Sequence, residues 1–312
     1  MRTGLVAVLC VEAVFFIGCA FKPSGSKSSP GPSARYASFN SWRVEEIARV
    51  SSLAVPECAA VDAASGNVYI SNIDAPKEGP DNRYNTDDNR GFITRLKPGG
   101  ELSRMRWVQS EVNAPINSIK GLCVLRGVIY ACDVDHVRRI STETGQALEP
   151  ICIHGAEFLN DAATDGKYVY VSDSNTDKIH RLDGDEYVDI PAPKNPNGIA
   201  FSGGRMYVVS WAAHEIYEVD MDGISSPRPM GLADHFAGLD GVEILADGTF
   251  MVSDQKQNRI ALVSADFKRV RTLVEVAGGP ADFGVDPIRG MLYVPLIWAD
   301  SAVAYKLTNS PR

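Results

Sequence analysis

The chain has 312 residues, of which 45% are hydrophobic and 22% charged, with a net charge of −8. That is the composition of a globular protein long enough to bury a sizeable core. The acidic balance supplies no basic field for a phosphate backbone, so no nucleic-acid partner is expected.

Residues 1–21 read as an export signal. Arg2 is the lone cation, and Gly4 to Phe21 is mostly apolar, ending at Phe16-Ile17-Gly18-Cys19. That tetrad resembles a bacterial lipobox, whose cysteine becomes the lipidated N-terminus. It implies a lipoprotein-type signal peptide with Cys19 lipidated, and a periplasmic or outer-membrane lipoprotein of the bacterial cell envelope. Contact with the membrane would be through the anchor only. Glu12 interrupts the apolar run, which is too short for a permanent transmembrane helix. The alternative is an uncleaved or mis-started N-terminus. Residues 22–41, rich in Ser, Pro and Gly as far as Arg35, are expected to be a disordered linker.

From residue 42 a unit of roughly 40 residues recurs, and its cleanest copy runs from Leu239 to Val276. Val242 to Leu245 is a short apolar run that meets a turn at Ala246-Asp247-Gly248. Thr249 to Ser253, Arg259 to Val263 and Val270 to Val276 follow as three further runs. Short β-branched runs bounded by turn residues read as strands, and four in a meander make one propeller blade. The second-strand signature repeats as GNVYISN, GVIYACD, KYVYVSD, RMYVVSW, GTFMVSD and GMLYVPL. Six copies predict an all-β, six-bladed β-propeller over residues 42–309, expected to be a monomer. The last copy supplies only three strands, so the stretch 42–50, WRVEEIARV, is predicted to close that blade as its fourth.

Cys58, Cys123, Cys132 and Cys152 form no CxxC pair, which argues against zinc and thioredoxin-like sites. Cys123 is predicted to lie opposite Tyr130 across the Arg126-Gly127 turn. Cys132 is then only a diagonal neighbour, and free buried thiols are expected. The sequence carries no GxSxG, HExxH or phosphate-binding loop, and its five histidines show no metal spacing.

Chemistry-bearing residues concentrate at the starts of the inner strands. The equivalent positions are Glu57, Lys120, Asn160, Asn197, Asp240 and Ala281. In a propeller these converge on the central channel. Their carboxylate and amide oxygens suit Ca²⁺ or another hard divalent ion. Two readings compete with a metal: Lys120 neutralises the carboxylates itself, or the polar groups merely cap strand ends and hold water.

The stretches PECAAVDAASGNVYISN, FLNDAATD, NPNGIAFS and LDGVEILADG resemble the senescence-marker-protein/gluconolactonase/luciferin-regenerating-enzyme superfamily. The resemblance implies that Glu57, Asn197 and Asp240 bind a divalent metal, that Asn160 lines the pocket, and that Asp240 also serves as base. Where such enzymes usually carry an arginine for a sugar acid, this chain has Phe158, and Glu-Gly-Pro is replaced by Glu57-Cys58-Ala59. A more apolar lactone or ester is therefore expected. The implied function is metal-dependent hydrolysis of a small-molecule lactone or ester, with Ca²⁺ the first choice and Mg²⁺, Mn²⁺ or Zn²⁺ the others. The alternative is a non-catalytic binding scaffold at the cell envelope.

The recurring Asp133, Asp173 and Asp254 are read as braces for turns. Trp211 and Leu296 stand at the equivalent places in two of the other three copies and break the pattern. Trp211, His214 and Trp298 either wall the substrate mouth or pack between blades. Lys120, Phe158 and Trp211 are the substrate-facing candidates beside Asn160. The long polar loop Asp74 to Asn89 is either a lid over the channel or a solvated loop.

Overall fold

A computed structural model describes residues 39–309 apart from 77, 80 and 113. The expected signal peptide, Cys19 and most of the linker lie outside these residues. Among the described residues no helix is long and apolar enough to span a membrane.

Six four-stranded antiparallel sheets form six blades. Their inner strands, blades 1 to 6, are Pro56–Val61, Ile119–Leu125, Leu159–Thr164, Pro196–Ser202, Leu239–Ile244 and Gly284–Asp286. Blades 1 to 5 are each consecutive in sequence. Blade 6 is completed by Trp42–Ser51, which pairs antiparallel with Ser301–Asn309. This is the closure the short last repeat required. It ties the two ends of the described chain together and leaves no gap in the ring.

The second strands are buried on both faces, which is why they read as continuous apolar runs. Tyr69, Ile129, Tyr170, Val208, Met251 and Tyr293 are almost wholly enclosed, and the apolar clusters they join lie between adjacent blades. Burial of that kind contributes on the order of 2 kcal/mol per large side chain. The expected linker ends earlier than residue 41. Phe39 is buried among side chains of blades 5 and 6, with the guanidinium carbons of Arg269 and Arg271 at 4.9 and 5.4 Å from its ring centroid. An aromatic ring has enough apolar surface to dock even in a polar stretch.

The four cysteines in the propeller are free thiols, and Cys123 pairs with Tyr130 in register, as the turn at Arg126-Gly127 required.

Candidate functional site

Blades 1 to 5 share one irregularity at the start of the inner strand. In blade 1, Pro56 pairs with Asn72 and Ala59 with Ile70, so Glu57 and Cys58 together oppose Ser71. The same shift falls between Ile119 and Leu122, Leu159 and Ala162, Pro196 and Ile199, and Leu239 and Val242. In blade 6 an isolated bridge from Pro280 to Leu296 marks the same place. The equivalence of Glu57, Lys120, Asn160, Asn197, Asp240 and Ala281 therefore holds to the residue.

A bulge of this kind turns two successive side chains toward one side. In blades 1, 3 and 5 a serine of the second strand stabilises it. Ser71, Ser172 and Ser253 accept from the amides of Cys58, Asp161 and Gly241 at 2.8, 2.9 and 2.7 Å. A second tier thus stands behind the first, built of Cys58, Gly121, Asp161, Gly198, Gly241 and Asp282. The inner strands approach so closely here that a Cβ on Gly198 would lie 2.6 Å from the backbone oxygen of Asp240.

In the first tier, Asn197 Nδ2 donates to Asp240 Oδ1 at 2.7 Å, and Gln255 Nε2 donates to Asp240 Oδ2 at 2.6 Å. A carboxylate can only accept, so the Asn197 nitrogen must face it. Asn197 Oδ1 is left buried and without a hydrogen-bond partner, as is Glu57 Oε2. Asn160 engages Ser174 Oγ through Nδ2 at 3.0 Å, which leaves its oxygen for the channel. Two orphaned buried oxygens beside a buried carboxylate are costly unless something positive meets them. The donor set is all hard oxygen, so these residues fit a divalent cation.

Electrostatics points the same way. Burial pushes the Asp240 carboxyl up to about 7, against the hydrogen bonds from Asn197 and Gln255 and helped by the charge of Asp161. Burial also raises Glu57 well above the ordinary range, and the charges of Asp240 and Asp161 raise it further, while Lys120 opposes them.

Lys120 is 1% exposed. Its ammonium donates to Asn85 Oδ1 at 3.0 Å and to the carbonyl of Ser118 at 2.9 Å, and it lies 4.8 Å from the Phe158 ring centroid. Lys120 and Phe158, from blades 2 and 3, thus form one corner of the mouth. Asn85 belongs to the long loop, which spans the rim. Its Tyr84 packs against the small cluster of Val55, Ile73 and Ala75, which Ile297 of blade 6 also joins, and Asn85 Nδ2 reaches the carbonyl of Glu157 in blade 3 at 2.9 Å. Thr86 N is held by Ser118 Oγ at 2.9 Å. The loop therefore covers the Glu57 end of the channel.

The second tier is a closed network. The Cys58 thiol donates to Asp282 Oδ2 at 2.8 Å and its sulfur accepts from Leu122 N at 3.2 Å. Asp161 accepts from Ile199 N at 2.8 Å and Ala162 N at 2.7 Å, and burial pushes its carboxyl up to about 6. Beyond it, toward the opposite rim, the channel widens into a cavity of about 260 Å³ bordered by Asp161, Asp282 and Glu243.

The three recurring aspartates are braces for the turn leading into the inner strand, and Asp173 also accepts from Asn175 N in the turn that follows it, at 3.4 Å. Asp133 accepts from Asn117 N and Ser118 N, Asp173 from Glu157 N and Phe158 N, and Asp254 from Ala237 N and Gly238 N. Register places Ser210, not Trp211, at the equivalent position of blade 4. RMYVVSW carries Ser-Trp where KYVYVSD ends in Asp, and aligning the last letters shifted the pairing by one residue. Trp211 is half-buried on the same rim, over Gly238 and 4.8 Å from Lys256 Nζ. That contact joins blades 4 and 5. Trp298 is 54% exposed and lies against Gly279.

Sequence reasoning missed Gln255, Asn85, Cys58, Asp161 and Asp282. Strict strand alternation points the last three away from the channel; only the bulge turns them inward. The paired signal was present in Asn160-Asp161 and Ala281-Asp282, each with an acid one place after the ring position.

No protein-family model matches the sequence, and no curated protein matches it significantly. Solved structures do share its architecture. A gluconolactonase from Xanthomonas campestris superposes with a TM-score of 0.65 at 16% identity, covering 92% of this chain and 99% of its own. Luciferin-regenerating enzyme gives 0.61 at 15% identity, over 86% and 95% of the two chains. A catalytically inactive virginiamycin B lyase from Staphylococcus aureus, solved with quinupristin, gives 0.58 at 12%, over 86% and 100%. The fold is the six-bladed propeller of these enzymes. At such identity the likeness speaks for the fold alone.

Proposed function

We propose that the protein is a metal-dependent hydrolase of a small lactone or ester. One observation carries this: Asp240, clamped by Asn197 and Gln255, stands with two orphaned buried oxygens, Glu57 Oε2 and Asn197 Oδ1. Glu57, Asn197, Asp240 and Asn160 would hold the ion, Ca²⁺ first among Ca²⁺, Mg²⁺, Mn²⁺ and Zn²⁺. Bound there, a divalent ion would supply positive charge to the carbonyl oxygen under attack.

The chain's own residues do the rest. Asp240 takes a proton from water. Burial brings its carboxyl to about 7 without a cation, and a bound ion would keep it in the ionised, proton-accepting form. Asn197 and Gln255 fix its orientation from two sides. The loop carrying Asn85 keeps bulk water from that end of the channel. Phe158 offers an apolar wall where an arginine would select a sugar acid. The propeller reads as a monomer, tethered through Cys19 to a bacterial envelope membrane.

The test is hydrolysis of a lactone and ester panel by protein purified without added metal, with elemental analysis alongside. Chelator-sensitive, saturable turnover supports the reading. A metal-free protein with no turnover on any member leaves the non-catalytic scaffold.

A further inference from the structure

Glu57 and Lys120 occupy equivalent positions on adjacent blades, and both are buried, at 6% and 1% exposure. They nevertheless form no ion pair. Lys120 contacts only neutral acceptors, the Asn85 amide oxygen and the Ser118 carbonyl, and pairs with no carboxylate among the described residues. Glu57 Oε2 has no donor at all. Burying an ammonium with neutral partners only is unfavourable, and one nearby carboxylate would relieve it. The carboxylates of Asp133, Glu57 and Asp173 favour the ammonium only through space, and none of them contacts it. An anion and a cation held apart on adjacent blades, each without a charged group in contact, leave room for both complementary charges to come from outside. The cation for Glu57 is the one considered above. The group for Lys120 must be negative.

We infer that Lys120 is the cation of an oxyanion subsite in which Asn85 is the placeholder: the ligand is a small cyclic or ester-like molecule bearing a carboxylate, which displaces the Asn85 carboxamide from Lys120. This rests on the reading that the Glu57 end of the channel is the substrate site, and it narrows the substrate to an anionic one. Asn85 Oδ1 sits where a carboxylate oxygen would sit, and Asn85 Nδ2 bonds only a backbone carbonyl, that of Glu157, so the placeholder is held by exchangeable contacts. The Phe158 ring beside the ammonium accepts the carbon skeleton next to the carboxylate. Positive charge absent from position 158 is thus supplied by the neighbouring blade.

The test is calorimetric titration of the full-length chain with 3-oxocyclopentane-1-carboxylate, a non-hydrolysable lactone isostere, and with its neutral carboxamide. The carboxylate should bind about tenfold more tightly, as a charge-assisted hydrogen bond outweighs a neutral one. Lys120→Met should erase the preference, Lys120→Arg should retain it, and Asn85→Ala should strengthen carboxylate binding. Asn85→Asp, a change in the rim loop that removes no core side chain, should erase the preference by seating a resident carboxylate on Lys120. Equal binding of the two probes, no binding of the carboxylate, or a preference that survives Lys120→Met or Asn85→Asp overturns the inference. Turnover is not read. Preference without lactone hydrolysis leaves the subsite standing and removes the hydrolase, and hydrolysis without preference does the reverse.

Discussion

Asn197 and Asp240, from inner strands of adjacent blades, are joined by a 2.7 Å hydrogen bond that fixes which end of the amide faces the channel. The bond makes Asp240 the centre of the candidate site. Asp240→Asn should lower hydrolysis by about 10²-fold or more, the usual worth of a positioned general base. It should also abolish the rise in melting temperature expected on adding Ca²⁺. The metal-free variant should be no less stable than wild type, because a buried carboxylate near others is replaced by a neutral amide. Thermal melts with and without Ca²⁺ check this. Unchanged hydrolysis and an unchanged Ca²⁺ shift would remove Asp240 from both roles.

The pH dependence of stability follows from the raised carboxyls. Burial brings Asp240 to about 7, and Glu57 is raised as well. A carboxyl whose folded pKa lies above its unfolded value binds protons more tightly when folded. Its contribution is complete below about pH 4, and it is lost as pH rises through the folded pKa. Metal-free protein should therefore melt several degrees lower at pH 8 than at pH 5. Added Ca²⁺ should offset the loss chiefly at the higher pH, where the ligands are ionised. Melting curves across that range in chelator and in Ca²⁺ decide it. A metal-free protein that gains stability toward pH 8 would contradict the assignment.

Much of this was legible because a propeller repeats. Once GNVYISN and its five relatives are aligned, the positions of Glu57, Asn197 and Asp240 follow by counting, and closure brings them together. Three things were hidden. The bulge inverts the facing of Cys58, Asp161 and Asp282, and no propensity signals it; in blades 1 and 3 the serine that holds it lies on the next strand. Gln255 reaches Asp240 from a loop, outside the periodic pattern. Asn85 lies in an insertion with no counterpart in the other blades, so alignment could not place it.

Asp173 tests the bracing role. It is fully buried, yet Glu157 N and Phe158 N donate to it at 3.0 and 2.9 Å, and the His180 ring lies 3.7 Å away. Against the cost of burial, these partners hold its carboxyl down to about 2. Here the sign is opposite to that of Asp240: the contribution is present above about pH 4 and fades as pH falls toward the folded value. Asp173→Ala orphans two amides and should cost about 2–4 kcal/mol in urea unfolding at pH 7. The deficit should shrink under acid conditions. Because those amides set the position of Phe158, the variant should also raise KM more than it lowers kcat.

Gly198 tests the close approach of blades 4 and 5. An added Cβ would lie 2.6 Å from the Asp240 carbonyl oxygen and 2.9 Å from Val242 N, both backbone atoms without freedom to move alone. Gly198→Ala must therefore push the two inner strands apart, an overpacking that should cost about 1–3 kcal/mol. The displacement acts at the residue next to Asn197, so the Asn197–Asp240 bond should lengthen and Ca²⁺ affinity should fall with stability. Gly203→Ala is the control, since nothing lies within 4 Å of its added Cβ. Its positive φ of 58° carries a backbone cost without touching the site. It should lower the unfolding free energy while Ca²⁺ affinity stays at the wild-type value. Equal Ca²⁺ affinities in the two variants would mean that the spacing of blades 4 and 5 does not govern the site.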